Sequence, residues 1–135
     1  MIPARLRRHV VARADNRCEY CRLAQTGQEA TFHIDHVVPV AAGGHTSPQN
    51  LALACVSCSL RKGARVLVQD PHTADLVSLF NPRLDSWQAH FRWEGLTVIG
   101  ITAKGRATVI ALRMNRALAL AIRQEEAHRA RHPPP

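Results

Sequence analysis

Cys18, Cys21, Cys55 and Cys58 form two Cys-x-x-Cys pairs separated by 33 residues, and the chain contains no other cysteine. Two residues between thiols let a tight turn aim both sulfurs at one point, which is half of a tetrahedral metal site. Two such turns complete it. A disulfide framework would need an oxidising compartment, and nothing here directs secretion. A redox motif would use one pair inside a βαβ pattern and leave the second unexplained. Structural Zn²⁺ is therefore the expected occupant. Four thiolates close the metal's shell, so catalysis is expected elsewhere.

The residues between the pairs hold the densest polar constellation in the chain. Thr31 to Pro39 begins with β-formers and alternates in type, which predicts a strand ending near His36. His33 and Asp35 then share one face, while His36 points away or closes the strand. Ala41-Ala42-Gly43-Gly44 reads as a loop, and Thr46-Ser47-Pro48-Gln49-Asn50-Leu51 as a stretch able to cap a short helical turn. Leu51 to Ala54 reads as a second strand leading into Cys55, and Ser59 to Lys62 as a helix stopped by Gly63. A histidine, whose ordinary pKa is ~6.5, can take a proton from water at neutral pH. A neighbouring carboxylate can hold a divalent cation on a phosphate.

Asp35-His36-x-x-Pro39, Gly43-Gly44, Asn50-Leu51 and Cys55-x-x-Cys58 followed by Lys62-Gly63 together resemble an HNH endonuclease of the zinc-containing ββα-metal type. The resemblance covers about Asn16 to Gly63 and implies hydrolysis of phosphodiester bonds in DNA, double-stranded DNA being the expected partner. It implies that His36 is the general base and Asp35 a ligand of a catalytic Mg²⁺ or Mn²⁺. It also implies that Asn50 bonds the backbone around the His36 loop and fixes the ring. The family usually places Asn or His directly after the last cysteine, where this chain has Ser59. A serine hydroxyl is a shorter and weaker ligand, so a contact from Ser59 through water and a ligand from His33 are the expected compensation. The alternative is a catalytically weak, zinc-stabilised DNA-binding module. Arg61, Lys62 and Arg65 are expected to contact the DNA backbone without reading sequence.

These residues need a small α+β scaffold. The sequence predicts an N-terminal helix over 1–15, a zinc-stapled nuclease core over 16–65, β-hairpins and helices of unassigned role over 66–131, and a disordered tail over 132–135. In the helix, Leu6, Val10 and Val11 form an apolar stripe among Arg5, Arg7, Arg8 and Arg13. Further on, 66–80 and 90–102 read as hairpins, and Gly105–Met114 and Asn115–Ala130 as helices, with Asn115 a candidate cap. Leu118 and Ile122 lie one turn apart in the last helix, and Glu125 and Glu126 can pair with Arg129. Trp87, Phe91 and Trp93 are expected in a core, not stacked on bases.

Composition fits this reading. Eighteen Lys+Arg against ten Asp+Glu give a formal charge of +8, which suits a polyanion, although 16 of the 18 are arginine, as a GC-rich genome would also produce. No apolar run approaches the ~20 residues of a membrane span, so a cytoplasmic protein with no membrane contact is expected. Cys55→Ser should lower bound zinc and thermal stability together, because structural zinc contributes directly to folding. Metal analysis of the purified variant checks this, and undiminished zinc would remove Cys55 from the site.

Overall fold

The computed structural model describes residues 2–135. The chain divides into two units, one of Met1–Val66 with Asn81–Asp85 and one of Leu67–Phe80 with Ser86–Pro135.

The first unit opens with helix α1 (Ala4–Arg13), which buries Val10. Strand β1 (His33–His36) pairs antiparallel with β2 (Leu51–Ala54), setting His33 opposite Ala54 and His36 opposite Leu51. The link between them carries 3-10 turns at Val40–Ala42 and Pro48–Asn50. All four residues of β2 are buried, which accounts for its unbroken apolar sequence where a half-exposed strand would alternate. Helix α2 (Val56–Lys62) follows at once and ends at Gly63, whose φ of 53° lies in the left-handed region. It begins three residues earlier than expected. The reason is that the Cys55 sulfur accepts from the Cys58 amide and acts as the N-cap. Strand, link, strand and helix thus give the ββα order. Tyr20, Leu23, Phe32, Val37, Leu51 and Leu53 form the core around the cysteines.

The second unit holds two hairpins and three helices. Strand β3 (Leu67–Gln69) pairs with β4 (Leu76–Ser78), and β5 (Phe91–Glu94) pairs with β6 (Thr97–Gly100), both antiparallel. Helix α3 (Trp87–His90) is a single turn, α4 spans Ala103–Ala111 and α5 spans Ala117–His128. Phe91 stands edge-on to Phe80 at 5.1 Å and tilted on Trp87 at 5.0 Å, with all three rings buried. Trp87 and Phe91 therefore build the core as expected, whereas Trp93 is only half-buried at its edge. Trp93 continues the stack against Trp87, and His132 meets it edge-on while bonding the Gly95 carbonyl.

Three expectations for the last helix need correction. Asn115 does not cap it; Arg116 holds that position, and the Asn115 amide instead bonds both the N–H and the carbonyl of Val98. Leu118 is 65% exposed, because the buried stripe runs through Ala119, Arg123 and Glu126. Glu125 pairs with Arg129, but Glu126 turns to Arg131.

Asp70 sits at the tip of the β3–β4 hairpin and accepts both Nε and Nη2 of Arg106, at 3.1 and 2.9 Å, along with bonds from the His72 amide and Thr73 hydroxyl. The Arg106 contact holds its carboxyl well below the usual range. A depressed folded-state value means that the stabilisation is complete above the unfolded value of ~3.9 and is lost as pH falls below it. Both tryptophans lie in this unit, so their fluorescence reports its unfolding. The melting temperature read this way should fall on acidification below about pH 4. Asp70→Asn should lower it at neutral pH and flatten the acid limb, and an unchanged limb would rule out this ion pair as its cause.

Candidate active site

The four cysteine sulfurs lie within 4.8 Å of one another, all buried and none in a disulfide. Cys21 and Cys55 sulfurs are 3.7 Å apart. A tetrahedron with metal–sulfur arms of ~2.3 Å has edges of about 3.8 Å, whereas a disulfide requires about 2.05 Å. The two halves are built alike. The amide of the second cysteine points at the sulfur of the first in each pair, Cys21 to Cys18 at 3.5 Å and Cys58 to Cys55 at 3.4 Å. Burial pushes the Cys18 thiol well above its ordinary value, while hydrogen bonding from Cys18 and Cys21 holds Cys55 far below its own. The donor set fits Zn²⁺ in number, spacing and chemistry.

The two residues inside the first pair reach outward from this centre. Glu19 and Leu53 exchange two bonds, with the Glu19 amide on the Leu53 carbonyl and the Leu53 amide on Glu19 Oε2, each at 2.8 Å. The other Glu19 oxygen pairs with Arg83. The Tyr20 hydroxyl donates to Asp35 Oδ2 at 2.9 Å. One side chain thus anchors β2 and the next anchors β1. Nothing in the Cys-x-x-Cys spacing assigns Glu19 and Tyr20 these tasks.

Alternation along β1 separates its polar residues by face. On one face His33 and Asp35, two residues apart, meet Ser59 and Lys62, one turn apart on α2. The His33 Nδ1 lies 2.9 Å from the Ser59 hydroxyl, and the Lys62 ammonium lies 3.2 Å from Asp35 Oδ2. Lys62 also donates to the His36 carbonyl at 2.9 Å. Lys62 is only 1% exposed and Asp35 9%. Burial raises the Asp35 carboxyl above its ordinary value, opposed by the Lys62 charge and the Tyr20 bond. Removing one partner of such a pair leaves a buried charge uncompensated, at about 3–5 kcal/mol. The expectation that Lys62 contacts phosphate is therefore corrected: its charge is spent on Asp35 and the strand. Arg61 and Arg65 stay nearer the surface, where Arg61 Nε reaches the Ser57 hydroxyl and Arg65 Nη2 the Arg61 carbonyl.

On the other face the half-buried His36 ring places Nε2 2.8 Å from the Thr46 hydroxyl. Thr46 is a contact that the sequence did not single out, since an isolated threonine in a glycine-rich loop carries no signal. Asn50 makes backbone bonds of the kind the resemblance implied, and none to the His36 ring itself. Its side chain accepts from the Val38 amide at 2.9 Å and donates to the Val38 and His45 carbonyls at 3.0 and 2.9 Å. It ties both ends of the link together around His36. Gly44 has a steric reason: a Cβ there would stand 1.8 Å from the Val38 carbonyl oxygen.

For a second, catalytic cation the accessible donors are the exposed His33 imidazole and the Ser59 hydroxyl, with Asp35 behind them on the same face but bound by Tyr20 and Lys62. An imidazole–oxygen pair fits a cation that accepts nitrogen, such as Mn²⁺, better than Mg²⁺, which prefers carboxylate and water. Among the described residues only the cysteines form a cluster of three or more candidate metal ligands.

Asn50→Ala should release the Val38 and His45 backbone groups and cost about 1–3 kcal/mol for the bonds left unmade. Amide exchange at Val38 should accelerate while that at Val98 in the other unit stays the same. Unaltered protection at Val38 would mean that the amide clamp does not hold the loop.

Residues 18–65 match the family model described as HNH endonuclease. No curated protein and no solved structure matches the chain significantly.

Proposed function

We propose that the chain is a metal-dependent endonuclease that hydrolyses phosphodiester bonds in DNA, with duplex DNA as the expected substrate. The match of residues 18–65 to HNH endonucleases supports a nuclease or DNA-binding role. The observation that carries the finer reading is the posture of His36. Its Nε2 is engaged by Thr46, its carbonyl by Lys62, and the loop beyond it by Asn50. In the tautomer whose Nε2 donates to Thr46, Nδ1 carries the lone pair and would accept a proton from the water that attacks phosphorus. A bond forms between that water's oxygen and phosphorus as the bond to the leaving oxygen breaks. Fixing the ring matters, because a base misplaced by ~1 Å can lose about 10²-fold in rate. A divalent cation held by His33 and Ser59, with Asp35 behind them, would supply positive charge for the phosphoryl and leaving oxygens. Arg61 and Arg65 would lie along the DNA backbone as positioning contacts.

A second reading, a DNA-binding module with little turnover, draws support from Ser59 in place of the usual ligand and from Lys62 on Asp35. Plasmid relaxation distinguishes the two. The parent protein should cut with Mn²⁺ and more weakly with Mg²⁺. His36→Ala should abolish cleavage while keeping its zinc and melting temperature. Ser59→Asn should raise the rate. Binding of plasmid without cleavage by either cation would favour the second reading, and undiminished cleavage by His36→Ala would remove the general base.

A further inference from the structure

The arginines of α1 have no part in the chemistry above, yet they are not scattered round the helix. Arg5, His9 and Arg13 follow each other at four-residue steps, which keeps them on one face about 6 Å apart along the axis. That face borders two adjoining cavities of about 530 and 710 Å³ that share His9 and Pro48. Arg5 lines the larger one, and Arg13, Gln49 and Arg83 line the smaller. Pro48 and Gln49 belong to the 3-10 turn that ends in Asn50.

Two of the cations are fixed in place. Arg13 donates to the Pro48 and Leu51 carbonyls, at 2.8 and 2.6 Å, and Arg83 is held by Glu19. Burial and the facing Arg83 both lower the Arg13 guanidinium from its ordinary value, with only Glu19 opposing them. Arg83, already paired with Glu19, forms the wall of the groove, whereas Arg13 is exposed and its held guanidinium is preorganised to meet an anion there. Arg5 and His9 are exposed and have no hydrogen-bond or ion-pair partner among the described residues.

We infer that the groove along α1, formed by Arg5, His9 and Arg13 and walled by Arg83, is a seat for the phosphate backbone of a nucleic acid, leading toward the turn that carries Asn50. This rests on the nucleic-acid reading of the site but not on cleavage. The spacing of these hydrogen-bond donors along the helix is on the scale of neighbouring phosphates in one strand. The pairing with apolar lining at Leu6 and Leu84 lets sugars pack while the cations meet phosphates. Such contacts position the strand and carry no sequence preference.

The test uses the full zinc-loaded chain with no other divalent cation added, so that binding is read without turnover. Anisotropy of a labelled random-sequence DNA duplex is followed over a salt titration. Arg5→Ala with His9→Ala should weaken binding about tenfold and reduce the salt slope by about one. Arg7→Ala removes the same charge from α1, some 200° round the helix from Arg5, and should change affinity less than about twofold. Equal losses from the two variants, or unaltered binding in the double variant, would overturn the groove. The nuclease reading fails separately: a parent that binds through the groove but never cuts sinks that reading alone, and one that cuts while the double variant binds normally sinks the groove alone.

Discussion

Four thiols buried within 4.8 Å of one another are the constraint on which the first unit depends. Without a cation they are neighbours that cannot all ionise, and a bound Zn²⁺ would join Cys18–Cys21 to Cys55–Cys58 at one point. A unit of some 70 residues with short strands has little apolar area to stabilise it alone, and a structural metal is a common remedy. The joint does more than close a loop. Because Glu19 and Tyr20 lie between the first two ligands, each reaches one strand of the hairpin, at Leu53 and Asp35. The second pair caps α2, so the helix that presents Ser59 and Lys62 begins at the metal site itself.

From that joint the polar residues are distributed by simple periodicities. A strand repeats every two residues and a helix every three to four, so His33 and Asp35 on β1 register with Ser59 and Lys62 on α2. The one-residue step to His36 turns its ring to the opposite face, where Thr46 and the Asn50-clamped loop receive it. One short hairpin therefore sets His36 and the His33–Ser59 pair on opposite faces without any long connection.

Much of this was legible because the relevant signals are local. The Cys pairs announced a shared centre, β-formers followed by Pro39 announced a strand ending at His36, and Asn50 resembled a loop clamp and acts as one. What could not be read depends on burial and on long-range partners. Lys62 looks like any surface cation in sequence, yet it is the buried partner of Asp35, 27 positions away. Thr46 and Tyr20 act through hydroxyls whose targets only the fold supplies. In the second unit, Asn115 has the sequence context of a cap, but the Val98 backbone competes for its amide and wins both donor and acceptor. Leu118 fits an apolar stripe at helical spacing, but the stripe that packs is rotated by one residue to Ala119.

The cysteine centre holds the hairpin that presents His36. Amide hydrogen exchange on zinc-loaded and chelator-stripped protein tests it most directly. Stripping should expose the Leu53 and Val38 amides, which bond Glu19 and Asn50, while the Val98 amide in the other unit keeps its protection. Retained protection at Leu53 and Val38 after the metal has left would contradict it.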